Sequence, residues 1–168
     1  GLDWDLVDFA FECALGRRVD YAEVRGHREV RDGFVLRNGE VDAYVSLVDG
    51  GFCVRVLAEG GLGFASTNRW TRDEARRVVD DACASAGSAK RRDTIVFAEE
   101  KGVEAAWRVG ERLRLEDVRA ETRIEALAEL DRALTSQGVN VSSRSFSFET
   151  SLTEKYLRNS EGSVISSY

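Results

Sequence analysis

The sequence has no proline and no methionine in 168 residues, a single histidine and three cysteines, and its basic charge is carried almost wholly by arginine, with lysine only at Lys90, Lys101 and Lys155. Each scarcity excludes something. One histidine, His27, cannot build a His-rich metal centre, and Cys13, Cys53 and Cys83 lie far apart, without the paired spacing of a zinc site. Odd in number and each in an apolar setting, they are expected to be reduced thiols rather than a disulfide framework. No apolar run approaches the ~20 residues that a bilayer-spanning helix requires, and no signal peptide opens the chain. The expectation is a soluble, cytoplasmic protein with no membrane partner. The lack of proline and methionine has no functional meaning that we can assign.

Acidic residues outnumber basic ones, 30 to 24, for a formal net charge of −6. Nucleic-acid binding rests mainly on Lys and Arg neutralising phosphates, so a direct nucleic-acid partner is not expected. The densest basic run, Ala89 to Asp93, is flanked by acids and reads as a solvated loop.

What is present is periodic. From Leu2 to Leu15, the apolar residues Leu2, Leu6, Phe9, Ala10, Cys13 and Ala14 recur at helical spacing, Asp3 and Asp5 suit the first turn, and Gly16 ends the helix. Alternating strands follow, and Asn38-Gly39 between two β-rich runs predicts a two-residue hairpin turn that faces Arg37 with Glu40. Thr71 to Glu74 is a capping box opening a second helix, with Ala75, Val78, Val79, Ala82 and Cys83 inward and Gly87 closing it. A short buried strand is expected at Thr94 to Ala98, then a connection anchored by Trp107. A third helix is expected over about Leu115 to Gln137, with Val118, Ile124, Leu127, Leu130 and Leu134 inward. The end is β again, alternating at Phe146 and Phe148 and closing in a hairpin around Ser160-Glu161-Gly162. The fold class is α+β: an antiparallel-rich β-sheet of hairpins with about three helices packed mainly on one face, in one domain. The chain stops on "SVISSY", inside a predicted strand, so the natural chain is expected to continue.

Val48 to Thr67, "VDGGFCVRVLAEGGLGFAST", holds five glycines in twenty residues and raises the question of a phosphate loop. A phosphate loop leads through its glycines directly into a helix, usually with Lys-Ser or Lys-Thr at its end. Here the stretch continues as strand and contains no lysine. The reading is a hairpin, with Phe52, Val54, Val56 and Ala58 on one face, a turn at Gly60-Gly61, and Leu57 opposite Phe64 and Arg55 opposite Ser66.

Catalytic patterns are missing. His27 and Glu29 share a strand face with no third ligand nearby in sequence, there is no Gly-x-Ser-x-Gly, and the acid pairs Asp80-Asp81 and Glu99-Glu100 are adjacent and so diverge. Arg25, Arg55 and Arg144 on predicted strands are candidates to contact a peptide, against the plainer reading of surface salt bridges.

The order of phrases says more. "DYAEVRGHR" after an N-terminal helix, "VLRNGEVD", "GGFCVRVLAEGGLGFASTN", the helix "TRDEARRVVDDACASA" and "TEKYLRNSEGSVIS" together resemble the N-terminal domain of the TldD/PmbA family, from about Asp20 to Ser167. The resemblance implies a two-domain metallopeptidase, linked by description to DNA gyrase modulation, that assembles as a homodimer or heterodimer and processes peptides. It also implies zinc in a C-terminal domain, held through His-Glu-x-x-x-His and a later Cys. That motif is missing here, so no residue of this sequence inherits a catalytic or metal role. The expected part is enclosure of a peptide substrate and contact with a partner subunit. The alternative is a free-standing peptide-binding or regulatory module acting by strand addition or partner docking.

Overall fold

In order along the chain, the helices among the described residues are α1 (Trp4–Leu15), α2 (Arg72–Ser88) and α3 (Ala120–Ser136), with a 3-10 turn at Leu115–Asp117. The strands are β1 (Tyr21–Arg37), β2 (Glu40–Ala58), β3 (Gly61–Thr67), β4 (Glu104–Trp107), β5 (Ser145–Asn159) and β6 (Val164–Ser167). They form one sheet in the order β3-β2-β1-β5-β6-β4; β2–β3 and β5–β6 pair antiparallel and β4–β6 parallel. The computed structural model describes residues 2–89, 93–138 and 140–168; the predicted loop at the basic run lies largely outside them. The α+β class with a mostly antiparallel sheet is as expected.

The described chain divides into two compact units, with β1, β2 and β5 contributing residues to both. The first comprises residues up to Arg28, 49–108 and 153–168. Its core is the face of Ala22, Val24, Phe52, Val54, Val56 and Ala58, packed beneath α1 and α2. The alternation of β2 puts Val54 and Val56 fully inside, and burying one such side chain is worth about 1.5–3 kcal/mol. From α1 come Leu6, Val7, Ala10, Phe11 and Ala14, while Phe9 and Cys13 are half-buried at its flank. Asp3 caps α1 through its Oδ1, which accepts from Leu6 N at 3.0 Å.

The glycine-rich stretch is a hairpin with an additional purpose. Its turn is Glu59-Gly60, both at positive φ (52° and 76°), so Leu57 faces Leu62 and Arg55 faces Phe64. The expected turn lay one residue further on, which displaced each partner by two and left the faces unchanged. Gly61 and Gly63 then lie against α2: a methyl on either would overlap the carbonyl of Ala86 or Ala82, so their role is close helix–strand approach.

The second unit comprises residues 29–48 and 109–152. Phe34, Leu36 and Leu127 are its buried centre, joined by Ile124, Ala128, Phe146 and Phe148. The Asn38-Gly39 turn is formed with both residues at positive φ, and Asn38 Oδ1 accepts from Arg144 N at 2.9 Å. Arg37 forms its ion pair with Asp42 at 3.2 Å, rather than with the anticipated Glu40.

Other expectations are corrected. Thr94 to Ala98 is irregular, with Ile95 and Phe97 half-buried and the other three residues exposed; Phe97 lies edge-on to Tyr21 at 4.9 Å. Trp107 is 64% exposed on β4 and anchors nothing inward. Leu130 is exposed on α3, and Leu127 and Asp131 are the buried positions there. Gly87 lies inside α2, which runs on to Ser88. Thr71 caps α2, its Oγ1 accepting from Glu74 N at 3.3 Å; the Glu74 carboxylate accepts from Thr67 Oγ1 at 3.1 Å instead of completing the box.

Candidate functional site: a buried carboxylate under two guanidinium groups

Within the first unit, β1 alternates strictly. Ala22 and Val24 point into the helix-covered core, so Tyr21, Glu23 and Arg25 must point to the other face of the sheet. A carboxylate buried on such a face requires partners, since an unpaired buried charge costs several kcal/mol. Glu23, only 5% exposed, has three. Arg25 Nε donates at 2.7 Å, Arg55 Nη2 from β2 at 3.0 Å, and the Tyr21 hydroxyl at 2.8 Å. Asn159, near the β5–β6 turn, donates to the Tyr21 oxygen at 3.5 Å and orders that turn by accepting from Glu161 N and Ser163 N.

Burial alone would push the Glu23 carboxyl up, but hydrogen bonds from Arg25 and Tyr21 and the charges of Arg25 and Arg55 outweigh it and hold the group below the usual carboxylate range. Those bonds also raise Arg25, and burial together with the Glu23 carboxylate raises the Tyr21 hydroxyl. With three donors on two oxygens, Glu23 is a fixed anion that holds the arginines in place and is poorly suited to abstract a proton. The Arg25 side chain is half exposed, and Arg55 is less so, with its Nε buried and unpartnered.

Beside this cluster lies an open depression of about 1140 Å³, lined by Arg25, His27, Cys53, Ser66, Lys155 and Ser167 among others. The pairings Cys53 with Ser66 and Lys155 with Ser167 form part of its floor. Burial of the Cys53 thiol pushes it above the ordinary thiol range, so it stays protonated near neutrality.

The structure therefore brings Arg25 and Arg55 together on one carboxylate. Arg144 belongs to the second unit, where it immediately precedes β5 instead of lying on a strand, and its guanidinium pairs with buried Asp131 at 2.7 Å. Glu29, also in the second unit, accepts from Arg31 and Ser151. Asp80 and Asp81 diverge to Arg17 and Arg77. Among the described residues, no group of three or more His, Cys, Asp and Glu is placed to hold a metal ion. Sequence reading overlooked Glu23 and Lys155. The signal for Glu23 was an acid in a β-run between Ala22 and Val24 with Arg two residues on.

Residues 22–86 match the model of the PmbA/TldA metallopeptidase domain 1, the stretch that carries Glu23, Arg25 and Arg55. Over those residues the chain is similar to the first domain of TldD/PmbA-type proteins. Three solved structures share the fold over 96% of this chain. They are a proposed modulator of DNA gyrase from Bacteroides thetaiotaomicron (19% identity, TM-score 0.69), another from Thermotoga maritima (16%, 0.75), and TldE from Thermococcus kodakarensis (15%, 0.71). This chain spans 35–37% of the length of those proteins. No curated protein matches it. Among the described residues, no helix is long and apolar enough to cross a membrane.

Proposed function

We propose that this TldD/PmbA-type chain is the non-catalytic N-terminal part of a zinc peptidase, where it helps to enclose the peptide substrate and contributes to contact with a related subunit in a homodimer or heterodimer. The observation that carries the reading is the family match over residues 22–86 on a chain that aligns with only about a third of each larger relative. The chemistry of the first unit agrees with it. Glu23 is occupied by three donors, and the depression beside it presents cations and hydroxyls, a surface suited to holding a peptide. Zinc and hydrolysis belong, in this reading, to the C-terminal domain of the complete protein, which acts in the cytoplasm.

The test is the intact mass of the native gene product in its own cells against the 18.7 kDa of this chain, together with zinc content and peptide hydrolysis of each. A native product at least twice as heavy, with zinc and hydrolysis only in the larger species, is the expected result. A native product of this mass, or stoichiometric zinc on this chain alone, overturns the reading.

A further inference from the structure

The molecule as a whole is acidic, with a formal charge of −6, yet the depression on the open face of the first unit is not. Its charged and titratable lining consists of Arg25, His27, Asp49, Arg69, Glu74, Arg77 and Lys155, with Cys53 and Tyr156. The acids are accounted for. Glu74 is engaged by Arg77 at 2.7 Å and by Arg69 at 3.7 Å, and Asp49 folds back to accept from Gly50 N at 2.8 Å. Arg77 reaches on to Asp81. Beneath the rim, one carboxylate, Glu23, holds two guanidinium groups, so that cluster retains a surplus positive charge. Lys155, exposed on β5, has no ion-pair partner among the described residues.

From this placement we propose that the depression is a carboxylate-binding site: Arg25 and Lys155 together receive a carboxylate carried by an extended peptide, and Glu23 is the positioning residue that fixes the Arg25 guanidinium. Arg25 uses its Nε on Glu23 and its side chain is half exposed, so its remaining N–H groups are available to a ligand, and a guanidinium fork suits a carboxylate best. Ser66 and Ser167, on the neighbouring strands, add hydroxyls for backbone or side-chain hydrogen bonds. A carboxylate is favoured over a cationic or purely apolar ligand because cations would meet the surplus positive charge. A purely apolar ligand would leave these charges unmatched, while Leu157 and Ile165, which line the same depression, suit an apolar part of the peptide. The proposal deepens the peptide-enclosing function and rests on it for the choice of a peptide as the carrier.

The experiment uses this chain, without zinc, and three short Ala/Ser peptides titrated calorimetrically: one with a free C-terminal carboxylate, its C-terminal amide, and that amide with one internal Asp. The expected result is that at least one carboxylate-bearing peptide binds roughly tenfold or more tightly than the neutral amide, the size of one good charge-assisted contact. Which of the two does so identifies the carboxylate as terminal or side-chain. Lys155→Gln, on an exposed residue with no structural bond to lose, and Arg25→Gln should each remove most of that preference, and added salt should weaken it. Glu23→Gln should reduce it, with partial rescue by Glu23→Asp. Equal binding of all three peptides, or a preference that survives both Lys155→Gln and Arg25→Gln, overturns the proposal. Failure here leaves the peptidase assignment standing. Carboxylate preference in a protein whose native mass equals this chain would sink that assignment and leave the site.

Discussion

Arg25 Nε meets the Glu23 carboxylate at 2.7 Å, a half-exposed guanidinium held by an anion that is almost wholly buried. The arrangement reverses the usual surface ion pair, in which both partners are mobile and the pair is worth little. With one partner fixed by Tyr21 and Arg55 as well, less conformational freedom remains to be lost when Arg25 takes a ligand.

That arrangement makes Glu23 a stability residue with a defined pH signature. Its folded-state carboxyl titrates below the ordinary value of 4.5, so the stabilisation is fully present above that value and is lost as pH falls through the lower folded value. Glu23→Gln should lower stability at neutral pH by about 1–3 kcal/mol, toward the lower end because Arg25 and Arg55 can be hydrated once released. Urea unfolding from pH 7 down to 3 checks it. The variant's deficit should shrink in acid, and a deficit that is constant with pH would contradict the pairing.

At the other end of the scale is Tyr156. It is buried against α1, with its hydroxyl donating to Asp8 Oδ1 at 2.9 Å, and burial first, then Asp8, pushes it up to about 12. A raised folded value means that the stabilisation is complete below the ordinary tyrosine range near 10 and is lost as pH rises from there toward about 12. Tyr156→Phe should flatten the alkaline limb of the stability profile between those values, measured by urea midpoints. An unchanged limb would mean that this hydroxyl is not the group responsible.

The two glycines that β3 presents to α2 and the one inside α2 should respond oppositely to the same change. Gly63→Ala places a methyl against the Ala82 carbonyl, backbone that cannot move aside, and should cost roughly 1–3 kcal/mol or more by displacing the helix. Gly87→Ala meets nothing within 4 Å in a helical position, and should stabilise by up to about 1 kcal/mol. Thermal or urea unfolding of the two variants decides. Tolerance of Ala at Gly63 would remove close approach as the reason for that glycine.

Much of the fold was legible because period and punctuation agreed locally. Thr71 before Ala75, Val78, Val79 and Ala82 marks the start of α2, and Asn38-Gly39 marks the β1–β2 turn. Where non-local packing decided, sequence reading failed. Thr94 to Ala98 has strand composition, but in the structure it is held at Ile95 N by the Gly60 carbonyl and at Phe97 by Tyr21, so it remains irregular. Trp107 looked like an anchor by size alone, whereas β4 is an edge strand beside β6 and exposes it. The site was half legible. Arg25 and Arg55 were visible as strand cations, but their convergence on Glu23 depends on how β1 lies beside β2, which no local pattern encodes.

Arg144 supplies the last test, because sequence reading grouped it with Arg25 and Arg55 and the structure separates it. Its Nε donates to Asp131 Oδ1 at 2.7 Å and its backbone N–H to Asn38, so it ties α3 to the β1–β2 turn inside the second unit. Asp131 is 6% exposed, and removing its cation leaves a buried carboxylate unpaired. Arg144→Gln should therefore lower the urea midpoint while leaving the preference for a carboxylate-bearing peptide unchanged. Lys155→Gln should do the reverse, weakening the preference at an unchanged midpoint. Measuring both quantities on both variants separates a structural arginine from a ligand-facing cation. Loss of peptide preference in a well-folded Arg144→Gln protein would return Arg144 to the binding surface.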